Sequence, residues 1–225
     1  MEAVPKKGLI GMFVVNQMTR NPITVTPDTP VTKAAELMKN HKINRLPVLD
    51  HDKMVGLVSD GDIARNSPSP ATTLSQYEIH SLLDNLKVKD IMSRRVIAIN
   101  EDAAIEEAAA LMERNNVGGL PVLSSVGIVI GIITVRDILR AFINMMGLTD
   151  GKTRIALQVK DRVGAMEDIA AVLAGDGVNI DSLVTYKENA GEYEIVIRGD
   201  FPNLADSTAK LEAHGYKVIH TTRIQ

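Results

Sequence analysis

The amino-acid sequence predicts a mixed α/β protein of three small units, of which the first two are copies of one another. The segments "GLVSDGDI" (56–63) and "GIITVRDI" (131–138) share one pattern of Gly, two branched apolar residues, Ser or Thr, two variable positions, Asp and Ile. Apolar residues make up 45% of the chain and aromatic residues only 3%, which suits small α/β cores filled by aliphatic side chains. After about residue 152 the pattern changes, which indicates a third and different unit.

The repeat has the size of a domain. The element "LPVL" occurs at 46–49 and again 74 residues later at 120–123. After one inserted residue, the patterns that contain Asp62 and Asp137 also align. Because this period exceeds the roughly 20–50 residues of solenoid repeats, it indicates two copies of one α/β unit.

Each copy predicts the same order of elements. A short strand (residues 23–25 and 96–99) precedes an amphipathic helix (31–40 and 104–115), where apolar residues recur three and four positions apart. Two β-branched stretches then predict a pair of strands, and the Asp of the repeated pattern starts a closing helix. Between the copies, "NSPSP" breaks the structure and residues 74–86 predict a bridging helix.

The third unit has strand patterns such as "RIALQV" and "EYEIVIRG", together with two helix patterns that end at glycines. Their order is β-α-β-β-α-β, the ferredoxin-like arrangement. The predicted boundaries are 12–68 for the first copy, 69–87 for the linker helix, 88–146 for the second copy and 152–225 for the third unit.

Composition excludes several classes of function. A net charge of −3 provides no electrostatic footprint for nucleic acid or an anionic membrane. The absence of cysteine excludes disulfides, thiolate metal sites and thiol nucleophiles, and no apolar stretch reaches the roughly 18–20 residues of a membrane span. The five histidines show no metal-ligand spacing, and no nucleophile is paired with a base. We therefore expect a cytoplasmic protein without catalytic or metal-binding residues and without nucleic-acid or membrane partners.

The doubled Ser/Thr-x-x-Asp pattern allows two interpretations on its residues alone. A carboxylate at a strand-to-helix junction can accept hydrogen bonds from ribose hydroxyls, and a hydroxyl one turn earlier can donate to a phosphate. The same pattern resembles a capping box, which satisfies unpaired helix amides and needs no ligand. Duplication does not decide between them, since a cap would be duplicated as well.

The surrounding residues resemble the cystathionine-β-synthase (CBS) domain, in the tandem arrangement called a Bateman module. The segments "ITVTPDTPV", "HKINRLPVLD" and "GLVSDGDI", with their second-copy counterparts, carry the resemblance over about residues 12–146. It implies a pseudo-twofold pair with two clefts that bind adenosine-containing ligands such as AMP, ADP, ATP or S-adenosylmethionine. Such a ligand is regulatory, and no cofactor is required.

By position, the resemblance implies a main cleft in which Asp137 binds the ribose. Thr134, Arg136 and Arg45 would bind the phosphates, and the cleft would be completed by Thr24, Thr29, Ala34 and Asn44. The second cleft would be formed by Ser59, Asp62, Ala98, Ala103, Ala108, Gly118 and Gly119. Because Gly118-Gly119 stands where the first copy has Asn44-Arg45, we expect the main cleft to bind the charged nucleotide. The second cleft would bind weakly or take a less anionic adenosyl ligand.

The segment "DRVGAMEDIAAVLAGDGVNI" resembles the start of an ACT domain, a small-molecule-sensing regulatory module. The resemblance implies a possible ligand site at a dimer interface, formed by Asp161, Arg162, Gly164 and Asn179. Val163 replaces the family's usual proline, so this loop is less rigid. Nearly the whole chain resembles the acetoin-utilisation B-type family of bacterial regulatory proteins.

These resemblances imply a non-catalytic ligand-sensing regulatory protein. It would form a homodimer, bind an adenosyl ligand in the CBS pair and act on a regulated protein that the sequence does not identify. An amino acid or another small metabolite would bind at the ACT unit. The alternative is a dimeric protein–protein scaffold whose ligand clefts are vestigial.

Overall fold

The structure, a computed structural model, describes residues 12–67, 85–148, 151–189 and 191–223 of the 225-residue chain. The chain divides into two compact units, Met1–Ile138 and Leu139–Gln225. The first contains nearly all of both sequence copies, and the second contains the βαββαβ region. The division falls inside the helix Val135–Met145, whereas the sequence predicted the third domain from residue 152.

The first copy forms a one-turn helix, a short strand, a longer helix, an antiparallel hairpin and a closing helix. These elements are α1 (Val14–Gln17), β1 (Thr19–Arg20), α2 (Val31–His41), β2 (Arg45–Asp50), β3 (Lys53–Ser59) and α3 (Asp60–Asn66). The predicted α2 is confirmed, and its buried face consists of Val31, Ala34 and Met38. The strand expected at residues 23–25 is reduced to one bridge between Val25 and Val48, because the chain turns at residues 26–29.

The second copy repeats this order. Its elements are α4 (Val88–Ile91), β4 (Ile99–Asn100), α5 (Ile105–Asn115), β5 (Gly119–Leu123), β6 (Val129–Thr134) and α6 (Val135–Met145). The helix expected at residues 104–115 is confirmed, whereas the strand expected at 96–99 begins only at Ile99, which pairs in parallel with Val122. The bridging helix predicted over residues 74–86 lies almost entirely outside the described residues.

The leading segment of each copy packs on the other copy. β1 pairs antiparallel with β6, so the second-copy sheet has the order β1-β6-β5-β4, while β2 and β3 form a two-stranded sheet. In the reverse direction, Val88 and Ile91 of α4 are buried in the core of the first copy. The sequence repeat did not predict this exchange, because an alignment shows which segments are alike and not which copy each one joins.

Two methionine–glycine contacts accompany the exchange. A Cβ atom on Gly131 of β6 would lie 2.3 Å from Met18 Sδ, and one on Gly56 of β3 would lie 2.4 Å from Met92 Sδ. Neither glycine can therefore carry a side chain while its methionine keeps this position. Each methionine packs on the glycine of the other copy, so the two contacts are equivalent.

The second unit agrees with the predicted βαββαβ order. Its elements are β7 (Thr153–Lys160), α7 (Ala165–Gly175), β8 (Asn179–Asn189), β9 (Glu192–Asp200), α8 (Leu204–Ala213) and β10 (Lys217–Arg223). The antiparallel sheet has the order β10-β7-β9-β8, which is the ferredoxin-like topology. Both helices cover one face of the sheet, in a core that includes Ile155, Leu157, Ile169, Leu173, Ile195, Ile197 and Leu211. None of the described helices has the length and hydropathy of a membrane span.

Candidate ligand-binding site

The first Ser-x-x-Asp corner, between β3 and α3, is a closed capping box. The amide and the hydroxyl of Ser59 donate to Asp62 Oδ2 at 2.8 and 2.6 Å, and the Asp62 amide donates back to Ser59 Oγ at 3.2 Å. The other carboxylate oxygen, Oδ1, accepts a hydrogen bond from Arg65 Nη2. Both carboxylate oxygens of Asp62 therefore have partners within one helical turn, and the residue is only 9% exposed.

The second corner, between β6 and α6, repeats the two hydrogen bonds to the carboxylate oxygen Oδ2. The amide and the hydroxyl of Thr134 donate to Asp137 Oδ2 at 2.9 and 2.6 Å, and Asp137 is 7% exposed. A hydroxyl has a single proton, so Thr134 cannot donate to a phosphate while it donates to Asp137. The first corner is therefore a complete capping box, and the second shows the Asp137 side of the same pattern. The ribose and phosphate roles of both corners stay predictions.

The first turn of α6 contains both an arginine and a carboxylate, Arg136 and Asp137. The first turn of a helix carries partial positive charge from its unpaired amides and favours anions. Arg136 lies in this first turn and is exposed. An arginine at a helix N-terminus adds positive charge to a positive helix end, and here the Asp137 carboxylate in the same turn offsets part of it.

Arg45 connects the two copies. It begins β2, where it pairs with Ser59, but its guanidinium reaches Gly118 and Gly119 of the second copy. A Cβ atom on Gly119 would lie 2.3 Å from Arg45 Nη1, and one on Gly118 would lie 2.9 Å from Nη2. Gly119 pairs with Thr134, so the Arg45 guanidinium lies next to the strand pair that ends at the second corner.

Arg45 is half-buried, and burial lowers the pKa of its guanidinium while nearby Asp60 opposes that shift. The group is still a cation at neutral pH, because an arginine does not deprotonate in proteins. The sequence assigned Arg45 to the main cleft and Gly118-Gly119 to the second cleft. The structure instead brings these two sets into direct contact.

The other predicted cleft residues are divided between core and surface. Ala34 and Ala108 are completely buried, on the core-facing sides of α2 and α5. Thr24 and Asn44 are exposed, while Thr29, Ala98 and Ala103 are partly buried. A groove of about 420 Å³ lies between α2 and α3, and among the predicted residues Asn44 lines it. Sequence reasoning missed this groove, because it depends on the packing of two helices of one copy.

The four residues predicted for an ACT ligand site do not meet within one chain. Asp161, Arg162 and Gly164 follow the end of β7, whereas Asn179 begins β8, which lies across β9 from the start of β7. These two places are separated by the length of β7, roughly 20 Å or more. A site that combines them therefore requires a second chain, as the resemblance implies.

Arg162 already has partners within its own unit. Its guanidinium donates to the Asp168 carboxylate and, at 2.9 Å, to the Tyr216 hydroxyl. The hydrogen bond from Arg162 lowers the pKa of Asp168. Gly164 lies at φ 88°, in the left-handed region that favours glycine, and precedes the first residue of α7. The loop therefore has a structural reason for its sequence, independent of any ligand.

Comparison with known families identifies the class of protein. The CBS domain model matches residues 9–69 and 88–144, which is more than half of the chain. The chain belongs to the CBS-domain family and contains a tandem CBS pair.

Relatives match mainly over this pair. The uncharacterised protein MJ1426 of Methanocaldococcus jannaschii is 31% identical over 155 residues, which cover 59% of this chain and 92% of that protein. A CBS domain-containing protein of Dictyostelium discoideum is 32% identical, over 60% of this chain and 94% of its own length. L-aspartate semialdehyde sulfurtransferase of M. jannaschii is 33% identical, but the match covers only 25% of that enzyme.

Solved CBS pairs have similar structures. The CBS-pair protein CBSX2 from Arabidopsis thaliana matches with a TM-score of 0.50 and 30% identity, over 60% of this chain and 96% of that chain. CBSX2 in complex with AMP matches with a TM-score of 0.49 and 31% identity, over 60% and 98%. The CBS pair of MJ0100, in complex with 5'-methylthioadenosine and S-adenosyl-L-methionine, matches with a TM-score of 0.48 and 32% identity, over 58% and 98%.

Proposed function

We propose that the CBS pair is a ligand-sensing regulatory module that binds an adenosine-containing ligand without catalysing a reaction. The observation that carries the proposal is the position of Arg45, whose guanidinium crosses to the second copy beside the Thr134 strand pair. Thr134 directly precedes α6, whose first turn contains the exposed Arg136. The equivalent corner has Asp60 and Gly61 in place of Val135 and Arg136, and its Arg65 is paired with Asp62, so the two corners differ in charge at these positions.

This arrangement favours a phosphate-bearing ligand such as AMP, ADP or ATP. Guanidinium groups form strong, charge-assisted hydrogen bonds with phosphates, and a helix N-terminus adds backbone donors. CBSX2 has been solved with AMP, and the MJ0100 pair with S-adenosyl-L-methionine and 5'-methylthioadenosine. For the present chain, the two arginines favour the nucleotide over the cationic S-adenosylmethionine.

In this proposal Asp137 binds the ribose, although its carboxylate is already hydrogen-bonded within the fold. Its Oδ2 already accepts two hydrogen bonds from Thr134. A ribose hydroxyl must therefore displace one of these bonds or use the other carboxylate oxygen. We expect ligand binding to loosen this cap, which gives the ligand a way to change the start of α6.

Isothermal titration calorimetry of AMP, ATP, adenosine and S-adenosylmethionine with the full chain tests the proposal. Arg45→Gln is expected to weaken AMP binding about tenfold or more, since a charged hydrogen bond contributes about 1.5–3 kcal/mol. The same variant is expected to change adenosine binding less than about twofold, because adenosine has no phosphate. Equal effects on both ligands would contradict a phosphate role for Arg45.

Asp137→Ala and Asp62→Ala form a matched pair, because both residues are caps at the same place in their copies. We expect Asp137→Ala to abolish nucleotide binding and Asp62→Ala to leave most of it. Circular dichroism checks that both variants keep their fold. Equal losses in the two variants would remove the asymmetry, and no binding to the unmodified chain would remove the proposal.

One observation favours a second function, a dimeric protein–protein scaffold with vestigial clefts. Both hydroxyls and both carboxylates of the repeated corners are already engaged within the fold. A scaffold predicts the same melting temperature with and without AMP, ATP or S-adenosylmethionine. Binding to the folded chain would raise that temperature.

For the C-terminal unit we propose an ACT-type regulatory role in a homodimer, with an amino acid or another small metabolite as ligand. The opposite positions of Gly164 and Asn179 within one chain support a site shared by two chains. Analytical ultracentrifugation should show a dimer, and a monomer at all concentrations would contradict it. The acetoin-utilisation assignment, the regulated partner and a cytoplasmic location stay predictions.

A further inference from the structure

Arg198 in β9 is a buried arginine on the sheet face that α7 and α8 do not cover. Its neighbour Ile197 and the preceding Ile195 point into the core with those helices. Successive side chains of a strand point to opposite faces, so Arg198 points away from the helices. A residue on this open face would ordinarily be exposed, but Arg198 is only 7% exposed.

The sheet face opposite the two helices is buried around Arg198. Ala156 and Val196 are register partners on the same face, and each is only 1% exposed. Ser182, which pairs with Arg198 on β8, donates a hydrogen bond to the backbone oxygen of Met146 at 3.3 Å. The chain that leads into β7 therefore contacts this face beside Arg198.

The charges on this face are unbalanced. Arg198 pairs across the sheet with Arg154 of β7, and like charges directly opposite each other repel. Arg154 has its own partners: Glu194 Oε1 at 3.3 Å from Nη2, and His220 Nδ1 at 3.4 Å from Nη1. Glu194 therefore compensates the charge of Arg154. Among the salt bridges of the described residues, none pairs Arg198 with a carboxylate.

The guanidinium of Arg198 also has unused donors. Its Nε and Nη1 are buried and have no hydrogen-bond partner in the structure of the described chain. Burial lowers the pKa of Arg198 and the Arg154 charge lowers it further, although an arginine remains protonated. Buried donors in native proteins nearly always have acceptors, and unpaired ones require an explanation such as an ion or ligand.

We propose that Arg198, with Arg154 beside it, binds an oxyanion group on this face of the C-terminal sheet. Carboxylates and phosphates are the acceptors that a guanidinium pairs with most strongly. Because Nε and Nη1 are covered, binding requires a local opening of the face near Ser182 and Met146. The site is separate from the four residues of the expected ACT site, and it does not depend on the proposed function of the CBS pair.

Thermal unfolding of the full chain tests this site with inorganic phosphate and with succinate, each against chloride at the same pH and ionic strength. At an anion concentration about ten times its dissociation constant, the melting temperature should rise by about 3 °C or more. A response to phosphate alone identifies a phosphate site, and a response to succinate alone identifies a carboxylate site. The same melting temperature in all three salts overturns the proposal.

Variants at Arg198, with two controls elsewhere in the chain, assign the response to this arginine. Arg198→Met should abolish it, whereas Lys53→Gln, which removes one positive charge from the exposed hairpin of the first copy, should preserve it. Arg45→Gln should also preserve it, which separates this site from the CBS corner. If Arg198→Met fails to fold, Arg198→Lys keeps the charge but loses the planar fork, and should reduce the response. An unchanged shift in Arg198→Met, or its loss in Arg45→Gln, overturns the proposal.

Discussion

The two CBS copies share their backbone pattern but differ in the side chains where they meet. The first copy has Arg45 at the start of β2, and the second has Gly119 at the start of β5. The guanidinium of the first copy uses the space that the second copy leaves empty. A side chain at Gly119 would collide with the guanidinium of Arg45, so only one of the two copies can have an arginine at this position.

Other contacts are the same in both copies. Each corner is closed by a hydroxyl-to-carboxylate hydrogen bond of 2.6 Å, and each exchanged methionine packs on a glycine. These shared contacts are structural, since they occur in both copies whatever the charge around them. The functional difference is therefore expected from Arg45 and Arg136, which have no charged equivalent in the other copy.

The largest effect is expected for Gly119→Arg, which would make the two copies equal at this position. A Cβ atom there would lie 2.3 Å from Arg45 Nη1 and 3.0 Å from the backbone oxygen of Ile133. Overpacking, together with a second half-buried charge, should lower the free energy of unfolding by about 3 kcal/mol in urea denaturation.

The double variant Arg45→Gly with Gly119→Arg moves the arginine to the other copy and serves as the control. It should recover at least about 1 kcal/mol relative to Gly119→Arg alone, because contacting residues couple by about 0.5–3 kcal/mol. If Gly119→Arg were as stable as the unmodified chain, Arg45 could not occupy that space in solution.

A smaller effect is expected for Gly131→Ala and Gly56→Ala. Each adds a methyl group about where a methionine sulfur lies, which should cost about 1–2 kcal/mol in the same measurement. Because Met18→Ala removes a buried side chain and is itself costly, the control is a double-mutant cycle. Gly131→Ala should couple favourably with Met18→Ala and add independently to Met92→Ala. Favourable coupling with Met92→Ala instead would show that the leading segments are not exchanged between copies.

The smallest effect is expected at the ends of α2 and α5. Both helices end at a left-handed residue, Lys42 at φ 54° and Asn116 at φ 51°. Asparagine tolerates this conformation better than lysine, so Lys42→Asn should stabilise the chain by about 0.5 kcal/mol and Asn116→Lys should destabilise it similarly. Destabilisation by Lys42→Asn together with stabilisation by Asn116→Lys would exclude backbone strain as the cause.

The sequence predicted those elements whose apolar or β-branched residues recur within a few positions of one another. The apolar spacing of α2 and α5 and the strand order of the third unit were found in the structure. The predicted strand at residues 23–25 became a single bridge, because short apolar runs do not reveal where the chain turns. Neither the exchange of leading segments nor the charge imbalance at Arg198 has a local signal, since both depend on residues far apart along the chain.

The CBS pair and the βαββαβ order were predictable from the residues alone, because they depend on a repeated motif and on side-chain periodicity. The repeated Ser/Thr-x-x-Asp pattern left capping and ligand binding as alternatives, and its hydrogen bonds became visible only in the structure. The tertiary structure alone decided that Arg45 lies on the glycines of the other copy, and that Arg198 is buried beside Arg154. The physical reason is that both contacts depend on space and on charge compensation, and these exist only once distant segments have packed together.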